Sequence, residues 1–332
     1  GHLLKFGISI RPNKPVAEFI EQVKLAEDEG FDYAWIADVG LHRETFIMCV
    51  LACQATTRIR IGTGVVNPYT RHPGILAAQA ATLQEMSNGR SFLGLGVGGY
   101  RALHQLGIAT WDRPGRTLRE AITILRRLFD GEKVTFHGSV FRVADAQIDF
   151  QHQRVPIYLG VMLGRQGLKM AGELCDGALI VGPLGDQTKQ VVDSIKKAAS
   201  DSGKDPASLE IAMSAPFAVS KDRAEAIKAA KVSVAELALL DRRLRPALLA
   251  EGITDEEISR VEDAIKQGGG VQDAVTNTMV ELFGIAGTAS DCIKKIELLK
   301  KTGITQLVVG RPAREVPEMI RIIGRDVIPN VR

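Results

Sequence analysis

Aromatic side chains make up only 5% of this 332-residue chain, and its four cysteines form no CxxC pair. Cys49, Cys53, Cys175 and Cys292 lie among apolar residues, which excludes a disulfide framework and a thiolate metal site and points to reduced core thiols. Cys49 and Cys53 stand four apart on one expected helix, an arrangement that packing explains. No block of five or more like charges occurs and the net charge is +3, so bulk electrostatics recommend neither nucleic acid nor an acidic membrane as partner. A small molecule is the default. The chain has no apolar run of about 18 residues and no charged-then-apolar leader, and a cytoplasmic location is the expectation. Gly1 and His2 are not assigned to the fold. His42, His72 and His104 match no metal-ligand spacing, and Ser9, Thr63 and Ser214 have no matched His and Asp, so neither a metal nor a nucleophilic triad is expected.

What is present is a core. Hydrophobic residues make up 45% and charged residues 24% of the chain, a composition that buries a large apolar interior. Short apolar runs alternate with amphipathic stretches throughout. Strands are expected at 3–10, 31–37, 58–62, 90–96, 156–160, 176–181, 209–219 and 306–309, with helices at 15–30, 44–56, 73–86, 116–129, 165–174, 187–201, 288–302 and 316–327. Eight buried strands, each followed by a helix, imply a parallel sheet, and eight close into a (β/α)₈ TIM barrel. An open doubly wound sheet fits worse, because no GxGxxG follows the first strand and the strand count passes six. One domain over 3–330 is expected. Two stretches interrupt its rhythm: 133–143, where VTF and VFRV flank His137-Gly138-Ser139 as a β-hairpin, and 221–283, an Ala-, Leu- and Glu-rich helical bundle.

In a barrel of parallel strands chemistry collects where the strands end. Those ends hold Ser9, Asp38, Gly64 to Tyr69, Gly96 to Arg101, Gly160 to Arg165 and Gly182. The third strand runs into RIRIGTGVVNPYTRHP, where Gly62 and Gly64 bare the backbone just before the Asn67-Pro68 turn, so that another backbone or a flat ligand can come close. After the fourth strand, Gly94, Gly96, Gly98 and Gly99 leave peptide N–H groups able to line an anion or a ring, as a plain flexible loop also would. After the fifth, Gly160, Met162, Leu163 and Gly164 lead to a helix beginning near Arg165, and free N–H groups, the helix dipole and the guanidinium together suit a phosphate. Asp38 either caps its loop, pairs with Arg43, or acts at the barrel mouth.

The order KLAEDEGFDYAWIAD, IGTGVVNPYTRHP, NGRSFLGLGVGG and GIAGTASDCIKKIELLKKTGITQLVVG resembles the bacterial luciferase-like superfamily of flavin and deazaflavin enzymes. Within it the chain is most similar to the coenzyme F420-dependent 5,10-methylenetetrahydromethanopterin reductases, and the similarity spans nearly the whole chain. The resemblance implies F420 lying across the strand ends, backed by a non-prolyl cis peptide at Gly64-Val65. It places Asp38 near the polar side of the deazaflavin, as the one acid-base candidate, and the backbone from Gly160 to Arg165 near the phosphate. Gly64, Val65, Asn67, Gly96, Gly98, Gly160, Met162, Leu163, Gly164, Arg165 and Gly182 join Asp38 as expected cofactor contacts.

Three positions depart from those reductases. Val39 stands where they have His, and Ser9 and Gly99 stand where they have carboxylates, the natural proton handlers for opening a methylene bridge. The expected activity is therefore F420-dependent hydride transfer to or from a small acceptor. An FMN-dependent monooxygenase and a non-catalytic flavin-binding member are the alternatives. Tyr69, Tyr100, Trp35 and Trp111 are stacking candidates for an aromatic substrate. A homodimer or larger homo-oligomer is implied, with Phe46, Ile47, Val50, Leu76 and Leu83 as its expected contact.

Overall fold

Parallel strands form a closed ring because each apolar run finds a neighbour on both sides. The structure, a computed structural model, describes residues 2–108, 113–162, 164–236, 241–312 and 315–332, apart from the side chains of Tyr100, Arg101 and Arg311. In chain order the strands are β1 (Lys5–Ile10), β2 (Tyr33–Ile36), β3 (Arg60–Thr63), β4 (Ser91–Leu95), β5 (Val134–His137), β6 (Arg142–Ala146), β7 (Ile157–Met162), β8 (Gly177–Val181), β9 (Glu210–Val219), β10 (Ile285–Gly287) and β11 (Gln306–Pro312). The ring runs β1-β2-β3-β4-β7-β8-β9-β11 and closes on β1. Every pairing in it is parallel. This is the expected (β/α)₈ TIM barrel.

Four aromatic residues plug the middle of the ring. Tyr33, Trp35, Phe92 and Tyr158 form one cluster with Ala212 and Val308, and the Trp35 and Phe92 rings meet edge-on at 4.6 Å. Trp35 donates its indole N–H to Gln306 Oε1 at 2.9 Å. Gln306 in turn donates to Glu210, which pairs with Lys5. A buried indole and a buried amide thus satisfy each other, as burial demands. Burial, with the nearby Glu210 carboxylate, pushes the Tyr33 phenol up to about 12, so it stays neutral. Trp35 is fully enclosed and is not the stacking platform that sequence allowed. Trp111 lies outside the described residues, as does the side chain of Tyr100.

The hairpin is present as β5 and β6, antiparallel, and reaches 146 rather than 143. Its turn is fastened by Glu120, whose carboxylate accepts the N–H groups of Ser139, Val140 and Phe141. The helical insertion comprises Arg223–Val234, Arg245–Ala250, Asp255–Gln267, Val271–Ala274 and Asn277–Phe283 among the described residues. Its interior, with Val234, Leu248, Val261, Met279 and Phe283, is a second hydrophobic cluster against which Met162 and Val181 of the barrel pack. Two elements were not expected. β10 adds three residues beside the end of β9, too few to show a periodicity, and Tyr100–Gln105 forms a short helix directly after the glycine run.

The expected subunit contact needs correction. Phe46, Leu76 and Leu83 are buried in the chain's own core, whereas Ile47 is 61% exposed and Ile75 57% exposed. The helices Thr45–Ala55 and Pro73–Met86 turn those three inward to cover the sheet and leave the two isoleucines outside. Among the described residues no helix is long and apolar enough to cross a membrane.

Trp35→Ala tests the central plug. It empties the largest fully buried side chain among the described residues and leaves Gln306 Oε1 without its donor, and it should cost about 3 to 5 kcal/mol, read as a lowered midpoint in urea denaturation.

Candidate functional site

The accessible floor of the barrel mouth is set by where burial stops along each strand. Ser9, Asp38, Val39, Gly64, Val65, Gly98, Gly160, Met162 and Val181 are partly exposed, while Trp35, Ile61 and Leu95 just before them are sealed. β3 is locked to β4 by Thr63, whose hydroxyl donates to the Gly94 carbonyl at 2.8 Å and accepts the Gly94 N–H at 3.0 Å. The chain then bulges. The Gly64-Val65 peptide is cis, at the position the resemblance implied. Gly64 N–H donates to Ile36 O, Val66 N–H to Gly94 O, and Gly96 N–H to Val66 O, at 2.8 to 2.9 Å. The bulge is thereby held from β2 on one side and β4 on the other.

The glycines around it make room for neighbouring protein atoms. A Cβ on Gly64 would sit 2.7 Å from Cβ of Trp35, one on Gly96 2.8 Å from a methyl of Val65, and one on Gly160 3.2 Å from the other. Val65 is therefore seated in a bay formed by bare backbone, and it is Val65 and the Gly64 peptide that face the opening. Asn67 is 5% exposed and turns its carbonyl inward, accepting the N–H groups of Tyr69 and Thr70 at 3.0 Å. Gly98, with φ of +80°, packs against the Asn67 amide. Both shape the loop. The Tyr69 hydroxyl is buried and has no hydrogen-bond partner among the described residues.

Asp38 pairs with Arg71, not with Arg43. Arg71 Nη1 donates to Asp38 Oδ2 at 2.8 Å, and both side chains are about 15% exposed. The other guanidinium nitrogen donates to Glu44, and Phe46 lies beneath the group at 5.5 Å. Glu44 is itself anchored, because its carboxylate accepts the Ile47 N–H at the start of the helix Thr45–Ala55. Thr45 ties that same turn to the end of β2 by donating to the carbonyls of Ile36 and Ala37. Burial draws the Arg71 guanidinium downward, but its bonds to Asp38 and Glu44 outweigh this and hold it above its ordinary value. Burial pushes the nearby Cys49 thiol well up, so it is an inert neutral group. Arg43 is exposed and points its backbone N–H to Pro12 O. The Arg71 partnership was not expected, and the signal available was only a lone Arg after the NPYT turn.

Across the mouth, Gly164 caps the helix Arg165–Leu174 without any side-chain bond. Arg165 is exposed and has no partner among the described residues. This end therefore offers unsatisfied N–H groups and a cation to an anionic group. Leu163 lies outside the described residues, and Gly182 is buried behind the partly exposed Val181. A Cβ on Gly99 would meet nothing within 4 Å, so that position is open space. Of the strand-end stretches singled out in the sequence, Asp38 is the sole carboxylate.

Together the parts make the mouth of a (β/α)₈ barrel with an apolar floor at Val65, a carboxylate fixed at Asp38 and a helix N-terminus at Gly164. The chain belongs to the luciferase-like monooxygenase family, whose sequence model matches residues 2–306. It is 34% identical to the 5,10-methylenetetrahydromethanopterin reductase of Archaeoglobus fulgidus, over 99% of this chain and all of that one. The structure of the coenzyme F420-dependent tetrahydromethanopterin reductase from Methanopyrus kandleri superposes with a TM-score of 0.92 at 30% identity, covering 99% of this chain and 100% of the other. An F420-dependent glucose-6-phosphate dehydrogenase of Microbacterium testaceum is 28% identical over 95% of this chain and 93% of its own length.

The bay around Val65 is testable without any ligand. Gly96→Ala should destabilise the fold by about 1 to 3 kcal/mol through overpacking. Adding Val65→Ala should recover most of that loss, and the measurement is the double-mutant coupling in denaturant unfolding.

Proposed function

We propose that this protein is an F420-dependent oxidoreductase that moves hydride between the deazaflavin and a small acceptor. The observation that carries the reading is the bulge at Gly64 and Val65 after β3, held at the barrel mouth between β2 and β4, in a chain similar along its whole length to F420-dependent enzymes. The residues present fit the cofactor. Val65 offers the flat ring an apolar back, Asp38 an acceptor, and the turn at Gly164 and Arg165 a seat for the phosphate of the tail. Bound F420 supplies a carbon, in place of flavin N5, that takes up or releases hydride. The protein supplies position and a dry surface, with Met162 and Val181 carrying the insertion's apolar cluster to the edge of the mouth.

The acceptor is a small molecule, with a pterin-bound one-carbon unit the first to try. Ser9 and Gly99 stand where the resembled reductases have carboxylates, so an acceptor that takes its proton from water or needs none fits this mouth better. The helix N-terminus at Arg165 would seat an FMN phosphate equally well, and the FMN-dependent monooxygenase is the second reading. Fluorescence titration with F420 beside FMN in one buffer separates the two. Submicromolar F420 binding with FMN at least about 10-fold weaker, a gap of about 1.4 kcal/mol, is the expected result; the reverse order, with oxygen consumption, supports the monooxygenase.

The same reading includes a homodimer or larger homo-oligomer, built on the face that carries Ile47 and Ile75. Two exposed isoleucines at the starts of neighbouring helices are more apolar surface than a lone barrel needs there. Paired Ile47→Glu and Ile75→Glu substitutions should shift the species from dimer to monomer in light scattering after size-exclusion chromatography. A wild type that elutes as monomer contradicts this part of the reading.

A further inference from the structure

We propose that Arg71 is a positioning residue for cofactor recognition, fixing the Asp38 carboxylate so that Oδ1 is presented at the barrel mouth as an acceptor for a ring N–H of the bound heterocycle. This rests on the reading that the mouth holds F420 or a related flavin. Arg71 Nη1 donates to Oδ2 at 2.8 Å, and Oδ1 has no partner among the described residues. A carboxylate whose one oxygen is occupied by a largely enclosed cation has its remaining lone pairs, and their direction, set for a donor.

The orientation comes from a chain of contacts and not from Asp38 itself. The helix start at Ile47 holds Glu44, Glu44 and the Phe46 ring hold Arg71, and Arg71 holds Asp38. The other groups nearby are in place to leave this arrangement undisturbed: Cys49 is a buried neutral thiol, while His42, Arg43 and His72 are exposed. A side chain held by a planar two-way guanidinium loses little further freedom when a ligand arrives, so its hydrogen bond contributes fully to affinity. The planar pyrimidine edge of a deazaflavin or a flavin carries such an N–H. On this account Asp38 binds the ring and donates no proton to the acceptor.

The test is a double-mutant cycle on cofactor affinity, read by fluorescence. Asp38→Ala and Arg71→Met should each weaken F420 binding about 10- to 100-fold, the range of one hydrogen bond to a charged group. If Arg71 acts through Asp38, the double variant should be no more than about 2-fold weaker than Asp38→Ala alone. Arg71→Lys, which keeps the cation but not the planar fork, should recover part of the loss and guards against a simple failure to fold. The absorption band of bound F420 should shift in the same direction in Arg71→Met and Asp38→Ala. Additive losses, or an Arg71→Met variant that binds as the wild type does, would overturn the assignment. If the wild type binds only FMN, the F420 reading fails while the cycle, run with FMN, still judges Arg71. Binding of neither cofactor overturns both.

Discussion

The mouth of the barrel rests on one packing contact, that of the Trp35 side chain under the backbone of Gly64. Trp35 fills the middle of the ring among Tyr33, Phe92 and Tyr158, and its Cβ stands 2.7 Å from where Gly64 would carry its own. Residue 64 must therefore be glycine, and the next side chain, Val65, is carried out into the bay made by Gly96 and Gly160. Interiors packed at crystal density transmit such constraints over several residues. The shape of the accessible floor is consequently decided one layer below it, by an indole whose own N–H is secured by Gln306.

Around that floor the polar groups are held in the same indirect way. Asp38 depends on Arg71, Arg71 on Glu44, and Glu44 on the first turn of a helix. The β7 side is built differently, with the free N–H groups of the helix Arg165–Leu174 and the exposed Arg165. A rigid acceptor on one side and an anion seat on the other suit a ligand with a hydrogen-bonding ring at one end and a phosphate at the other. The helical insertion packs onto Met162 and Val181 and so adds apolar cover on the β7 and β8 side.

Much of the fold was legible because buried parallel strands are apolar runs with abrupt stops. All eight barrel strands lie within two or three residues of their expected ends. β10 and the helix Tyr100–Gln105 were not, since three and six residues leave no period to read. The strand-end glycines at 64, 96 and 160 were legible as places of close approach, but what approaches them is Trp35 and Val65, a fact of packing between strands. Asp38 was visible as a carboxylate at a strand end, yet its partner lies 33 residues away, and the nearer Arg43 was the natural guess from sequence. Exposure escaped in the same manner: Phe46 and Ile47 are adjacent and equally apolar, and only the docking of their helix shows which of them faces water.

The central claim is that Val65, Asp38 and the turn at Arg165 together seat one planar cofactor. The most direct measurement is a crystal structure of the protein soaked with F420. The account predicts the ring against Gly64 and Val65, a ring N–H within hydrogen-bond distance of Asp38 Oδ1, and the phosphate at the start of the helix Arg165–Leu174. A ring bound elsewhere, for instance in the groove of about 1000 Å³ lined by Lys189, Arg223 and Lys295, would contradict it.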